Sequence, residues 1–243
     1  MTNSSDNLTL VLLPGLDGTG ELFSPFIEQF PAEQRILKIT YPTDYFIPLE
    51  ALQHYIISKL PEDQPLVLLG ESYSGPVAAM IASSHKVDIR GVIFVATFVR
   101  FPQSILKILS QRVPLVWLLR LPIPNILIRF FCFGRWYTSS LSKMLRKSIR
   151  ANQAEILAQR IRSATNLDVR QSLDKIEMPC LYIQASNDRL VPDKAVIDFK
   201  QRIRNLEVHK MNGAHFILQT QPKISFEVII SFMRQFKLSK NIK

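Results

Sequence analysis

Short runs of continuously apolar residues alternate with stretches of helical spacing along most of this chain. "TLVLLPG" (9–15) leads through a glycine-rich loop into "ELFSPFIEQF". "RILKITYP" (35–42) leads into "LEALQHYIISKL", where Leu49, Leu52, Tyr55, Ile56 and Leu60 recur close to a helical period. "PLVLLG" runs into "PVAAMIASSH", and "IRGVIFVAT" (89–97) stands before a long middle segment. "MPCLYIQAS" (178–186) precedes "DKAVIDFKQRI", and "LEVHKMNG" (206–213) precedes a closing helix through "ISFEVIISFMRQF". Strands that are apolar throughout, rather than alternating, are buried on both faces. The pattern therefore predicts an α/β domain with a mostly parallel sheet of about six strands and helices on both sides. In such folds the chemistry gathers at the carboxyl ends of the strands.

Residues 100–170 interrupt the alternation between the fourth and fifth strands. They are helical in pattern and punctuated by Pro102, Pro114, Pro122 and Pro124. An inserted helical cap over 100–170 is expected, with 1–99 and 171–243 forming the core. At 243 residues the chain suffices for one such unit.

The third apolar run ends in Gly70-Glu71-Ser72-Tyr73-Ser74-Gly75, and a helical stretch starts at once. A corner this tight lifts a serine hydroxyl off the sheet, and the next backbone N–H can face a developing oxyanion. An ordinary glycine-rich turn is the competing reading, so the partners decide. The stretch resembles the Gly-x-Ser-x-Gly elbow of the α/β-hydrolase superfamily, with Ser74 in the final glycine position and glycine one residue later.

The resemblance implies the chain order Ser, Asp or Glu, His, since a serine needs a base and the base an orienting acid. His54 and His85 read as helix surface and helix end, and His209 as a strand residue. His215 follows the last strand in "MNGAHFILQTQP" and is similar to the Gly-x-His-Phe loop that carries the superfamily's base. Asp188, in "LYIQASNDRLVP", occupies a turn after the fifth strand and matches the superfamily's acid loop before Val-Pro. No carboxylate lies between Asp88 and Glu155, so the alternative acid site after the fourth strand is empty; Asp168 and Asp174 read as ends of cap helices. The same resemblance implies two oxyanion donors, the N–H groups of Tyr73 and of Leu16 in the loop "LPGLDGTGELF". Asp17 in that loop reads equally as a loop-fixing carboxylate and as a plain turn former.

Charge changes the picture in one place. Of the net +10, residues 100–162 carry +11, from twelve Lys or Arg against Glu155, and the remainder sums to −1. Arginines interspersed among Leu, Ile, Phe and Trp leave no run long enough to cross a membrane, with Arg112, Arg120 and Arg129 breaking the stretch. Three readings of the segment stand. Its apolar residues pack on the core with the arginines in water; they line an acyl pocket over Ser72, with Trp117 and Phe130 as liners; or the basic face docks on an anionic membrane surface or an acidic acyl carrier. Nucleic acid is not expected, because the basic residues do not alternate with stacking aromatics. Two distant cysteines, Cys132 and Cys180, and a start without a basic leader fit a cytoplasmic protein, with or without peripheral membrane docking.

Taken together, "LPGLDGTGELF", "GESYSGP", "NDRLVP" and "GAHF" resemble the lipase, esterase and thioesterase group of α/β-hydrolases. The opening loop also resembles the hydrolase part of plastid phytyl ester synthases and related bacterial proteins, which transfer acyl groups to lipid alcohols. What these resemblances imply is a serine hydrolase of lipophilic acyl esters that needs no metal or organic cofactor. Acyl transfer to a lipid alcohol, thioester cleavage, and ligand binding without turnover are the alternatives.

Overall fold

The computed structural model describes residues 8–101 and 113–238; the expectations for the chain start, Pro102 and Arg112 lie outside them. Six strands form one sheet: β1 (Thr9–Leu13), β2 (Ile36–Lys38), β3 (Leu66–Glu71), β4 (Ile89–Val95), β5 (Cys180–Ala185) and β6 (Leu206–Met211). Their order is β2-β1-β3-β4-β5-β6 and every pairing is parallel. Among the described residues, the α-helices of six or more residues are α1 (Leu49–Ile57), α2 (Gly75–Ser83), α3 (Leu115–Arg120), α4 (Ser139–Arg150), α5 (Ala154–Asn166), α6 (Val196–Arg202) and α7 (Pro222–Leu238).

The apolar runs are continuous because each strand feeds two cores. Val11, Leu13, Leu68, Phe94 and Tyr182 face one side, where Leu52 and Ile56 of α1, Val77 and Ile81 of α2 and Phe199 of α6 pack. Their neighbours Leu10, Leu12, Leu69, Val95 and Ile183 face the other side, against Phe23, Phe26 and Ile229, Phe232 and Met233 of α7. The period of two along a strand sends successive side chains to opposite faces, so a strand covered twice must be apolar at every position. Each fully buried large aliphatic or aromatic side chain contributes about 1.5–3 kcal/mol relative to exposure.

The strand order also fixes where chemistry can sit. From β1 the chain moves outward to β2, then returns across β1 to β3. The loops after β1 and β3 therefore diverge at a switch point, with Leu13 paired to Gly70 at their carboxyl ends. The loop after β1 and the turn after β3 stand side by side there. Close packing at the turn demands glycine: a Cβ on Gly70 would lie 2.9 Å from Ala78 Cβ, and one on Gly75 would lie 2.7 Å from Thr97 Cβ.

Between β4 and β5 the chain leaves the sheet and returns through one neck. Arg100 and Asp168 form an isolated antiparallel bridge, and Val169 N–H donates to Val99 C=O at 2.9 Å. The described residues in between include α3, α4, α5 and a π-helical turn over Ile128–Phe133; that turn and α4 pack with Leu22 in a third apolar cluster of Leu22, Ile128, Phe133 and Leu145. No helix among the described residues is long and apolar enough to cross a membrane.

Gly75→Ala is expected to lower stability by about 1–3 kcal/mol, because the new methyl overpacks against Thr97. Gly15→Ala, whose Cβ would meet nothing closer than 3.8 Å, should stay within about 0.5 kcal/mol of wild type. Thermal unfolding followed by circular dichroism checks the contrast.

Candidate active site

At the end of β3 the backbone of Ser72 turns into the left-handed region, with φ of 49°. A serine there is strained unless its surroundings hold it. The turn delivers Ser72 Oγ to His215 Nε2 at 3.0 Å, and His215 Nδ1 to Asp188 Oδ2 at 2.8 Å. Asp188 Oδ1 accepts from the N–H groups of Leu190 and Val191, both at 2.8 Å, which fixes the carboxylate's orientation. Two backbone bonds couple the acid and base loops: Ser186 N–H to Met211 C=O at 2.8 Å and Asn187 N–H to Gly213 C=O at 2.9 Å. The structure thus brings together the three residues named from the sequence, across 143 positions of chain. His54 lies on the exposed side of α1, and His209 is half-buried in β6.

Leu16 and Tyr73 border the same cavity as Ser72. A trans peptide points its C=O and N–H in opposite directions, so an N–H can be aimed by gripping the carbonyl behind it. Gly18 N–H holds the Gly15 carbonyl at 3.1 Å, which sets the plane carrying the Leu16 N–H. Thr97 Oγ1 donates to the Ser72 carbonyl, which sets the plane carrying the Tyr73 N–H. Ser74, at the position where the superfamily pattern has glycine, is fully buried; its hydroxyl bridges the Pro14 carbonyl and the Tyr41 hydroxyl, the latter at 2.6 Å. The serine ties the elbow to the loop beside it. Asp17 acts as the loop-fixing carboxylate, accepting from Thr19 N–H at 3.0 Å and Thr19 Oγ1 at 2.5 Å.

Sequence reasoning missed Arg160. It sits on α5, is only 4% exposed, and reaches down from the inserted segment. Its Nη1 donates to Leu16 C=O (2.9 Å), Asp17 C=O (3.0 Å) and Asn152 Oδ1 (3.1 Å), and its Nη2 to Pro42 C=O (2.7 Å). Asn152 Nδ2 adds a bond to Asp17 C=O at 2.8 Å. The reading in which the segment's arginines face water fails here. The available signal was spacing: Ile156, Leu157, Arg160 and Ala164 share one helical face, and the other three are buried.

Glu71 was missed as well. It is buried directly before the serine, borders the cavity, and accepts from Gln219 Nε2 at 3.0 Å. Burial pushes its carboxyl up to about 7, against a smaller opposing pull from the Gln219 bond and the His215 charge. For His215, burial alone would lower the imidazole pKa. The Asp188 charge and hydrogen bond, with the Glu71 charge, outweigh it and the net direction is upward.

The cavity over Ser72 measures about 560 Å³ and is walled almost wholly by apolar side chains, a size suited to a small-molecule ligand. Leu115, Leu119, Ile123, Leu127 and Phe131 come from the segment between β4 and β5. The expected liners Trp117 and Phe130 are not among the wall residues. They are 61% and 49% exposed, because residues 117 and 130 fall on the outer side of turns whose inner side carries Leu115, Leu119, Leu127 and Phe131. Phe130 instead stacks under the Arg189 guanidinium, 3.8 Å from the ring centre. Cys132 and Cys180 are free thiols.

Replacing Arg160 by Ala leaves the Leu16 and Pro42 carbonyls without their partner, the Asp17 carbonyl keeping Asn152, and about 3 kcal/mol of stability is expected to go with it. Arg160→Lys keeps the charge but cannot reproduce the planar fork, and should recover less than half of that. Chemical denaturation midpoints for the two variants decide the point.

The family profile described as "Serine aminopeptidase, S33" matches residues 39–217. A search of curated protein sequences finds no match. Among solved structures, the chain is similar to a lipase-esterase related protein from Clostridium acetobutylicum (TM-score 0.77, 16% identity, covering 95% of this chain and 96% of that one). It is also similar to MenH from S. aureus (0.79, 15%, 95% of each) and to an esterase from Exiguobacterium antarcticum (0.75, 14%, 93% and 92%). The profile spans the last four strands of the sheet, from Ile39 onward, including all three residues of the Ser72–His215–Asp188 array, and the chain belongs to the serine aminopeptidase S33 family of α/β-hydrolase enzymes.

Proposed function

We propose that this protein cleaves lipophilic carboxylic esters through an acyl-serine intermediate, and that the helices between β4 and β5 act as the cap over the bound acyl chain. The observation that carries the reading is the hydrogen-bonded Ser72–His215–Asp188 array at the floor of a nearly apolar cavity. Ser72 Oγ attacks the acyl carbonyl while His215 Nε2 takes its proton, and Asp188 holds the imidazole tautomer and stabilises the imidazolium. The tetrahedral oxyanion faces the N–H groups of Leu16 and Tyr73, whose peptide planes are gripped from behind. His215 then protonates the leaving alcohol, and water attacks the acyl-serine by the same steps in reverse, releasing the acid and free Ser72.

An acyl ester is favoured over an aminoacyl substrate by the wall chemistry. A free amino group needs an ionised carboxylate, and the two carboxyls at this cavity, Asp17 and Glu71, are both pushed toward the neutral form by burial. Neighbours whose names read esterase, lipase-esterase related and enol-lactonase support ester chemistry. Acyl transfer to a lipid alcohol is the second reading, and it is favoured by the same apolar walls: few groups near Ser72 could hold a hydrolytic water.

With p-nitrophenyl esters, kcat/KM should rise from acetate to octanoate by up to about four-fold per methylene, and Ser72→Ala should lose at least about 10⁴-fold in kcat. An aminoacyl p-nitroanilide should be a far poorer substrate. A preference for acetate, or full activity in the alanine variant, would sink the reading. Product diverted into alkyl esters when dodecanol is added would move it to acyl transfer.

The pH profile tests the electrostatics. His215 must be neutral to act as base, and its pKa is raised. The acid limb of kcat/KM should therefore lie above the ordinary imidazole value of about 6.5. Glu71→Gln removes one raising charge, so the limb should move to lower pH. The stability sign runs the same way for Glu71 itself. With its folded pKa raised to about 7, the native state holds a proton that the unfolded chain releases near about 4.3. Stability is then lost as pH climbs through that window, and Glu71→Gln should flatten the loss.

A further inference from the structure

Seven of the ten exposed large hydrophobic side chains among the described residues fall within 117–131. Ile126 is 74% exposed and Trp117 61%, and neither α3 nor the short helix Asn125–Leu127 contains a buried residue. Apolar side chains scattered singly over a surface need no explanation, but a cluster confined to fifteen residues does. The cluster is also the rim of the cavity: Leu127 and Phe131 are exposed at 45% and 38%, and both line the space above Ser72. Residues 113–150 carry seven Lys or Arg and no acid. Arg120 is paired with Glu155 and Arg146 bonds to Asn125, while Arg129, Lys143, Lys147 and Arg150 are exposed.

From this combination we infer that the face formed by residues 117–131 docks on an anionic lipid surface, with Trp117, Ile126 and Phe130 entering the headgroup–acyl boundary and the basic residues meeting the lipid phosphates. Trp, Phe and Leu beside Arg and Lys are the composition that seats a helix in a bilayer interface. Such seating would bring the cavity mouth to the phase in which lipophilic esters reside. A second copy of the chain fits less well. A two-fold contact across this face would set the exposed Arg129 of each copy, with no acid in 113–150 to offset it, against the same basic face of the other. An acidic carrier protein would satisfy the charge but leave Trp117 and Ile126 without an apolar partner.

The inference concerns binding and does not rest on turnover, so the Ser72→Ala protein serves as well as wild type. Binding is measured by co-sedimentation with vesicles of phosphatidylcholine alone and with 30% phosphatidylglycerol. The anionic vesicles should bind at least ten-fold more tightly, and the difference should shrink as salt rises. Trp136→Phe leaves Trp117 as the sole tryptophan, and its emission should shift to the blue on vesicle addition. Ile126→Asp should weaken binding at least ten-fold and Arg129→Gln about five-fold, both with unchanged hydrolysis of soluble p-nitrophenyl butyrate and unchanged circular dichroism. Equal affinity for neutral and anionic vesicles, or no blue shift, overturns the proposal. So does a dimer in solution that Ile126→Asp dissociates, or binding of acyl carrier protein with no vesicle binding; the first assigns the face to self-association and the second to a protein partner.

Discussion

One buried guanidinium holds three parts of this molecule in register. Arg160 comes from the helical insertion, the carbonyls of Leu16 and Asp17 from the loop after β1, and the Pro42 carbonyl from the chain beyond β2. Taking an arginine out of water costs several kcal/mol. Charge-assisted hydrogen bonds return about 1.5–3 kcal/mol each, and with four acceptors in reach the balance favours the buried clamp. Its steric shadow is visible in the backbone. Gly18 sits at φ of 68°, and a Cβ there would lie 3.0 Å from Arg160 Cζ. Any rearrangement of the insertion that moved α5 would have to give up the loop beside Ser72 at the same time.

The same logic of gripping carbonyls recurs on both sides of the serine. In the proposed reaction the Leu16 and Tyr73 N–H groups need a fixed direction before substrate arrives. Gly18 N–H and the Thr97 hydroxyl grip the carbonyls of those two peptides from the far side. Preorganisation of this kind matters because a dipole that must reorient during the reaction forfeits much of its benefit. Ser74 belongs to this scheme. Glycine at that position would satisfy the sterics of the turn but could not bond the Pro14 carbonyl and the Tyr41 hydroxyl. The departure from the usual pentapeptide thus adds a strut between elbow and loop.

The sheet was legible because burial on both faces leaves a strong local signature: five strands fall within the apolar runs of the sequence, and β3 passes the end of its run by one residue, Glu71. Ser72, Asp188 and His215 were legible for a related reason. Each occupies a turn after a strand, and the fold class sends those turns to one edge. The cavity wall was not legible. Whether Leu115 or Trp117 faces inward depends on how a short helix is rotated against its neighbours, and a stretch apolar on nearly every side gives no periodicity to read. Arg160 escaped for the opposite reason. Its helix does carry a periodic apolar face, but an arginine on such a face marks a buried polar partner that lies 144 residues away, and nothing local names it.

Placing two titratable groups under one apolar roof sets a conflict that the site resolves through pairing. His215 and Glu71 are both removed from water, and each is more easily charged when the other is charged too. Asp188 bonds the imidazole through one oxygen and is braced by two backbone N–H groups on the other. Glu71 is held more loosely, by a single amide from Gln219. Burial holds Glu71 toward its neutral form, while the Gln219 bond and the His215 charge pull it the other way. Close to Ser72, the low dielectric of the apolar walls amplifies this coupling. The apolar cavity therefore lies directly over the charges that its low dielectric tightens.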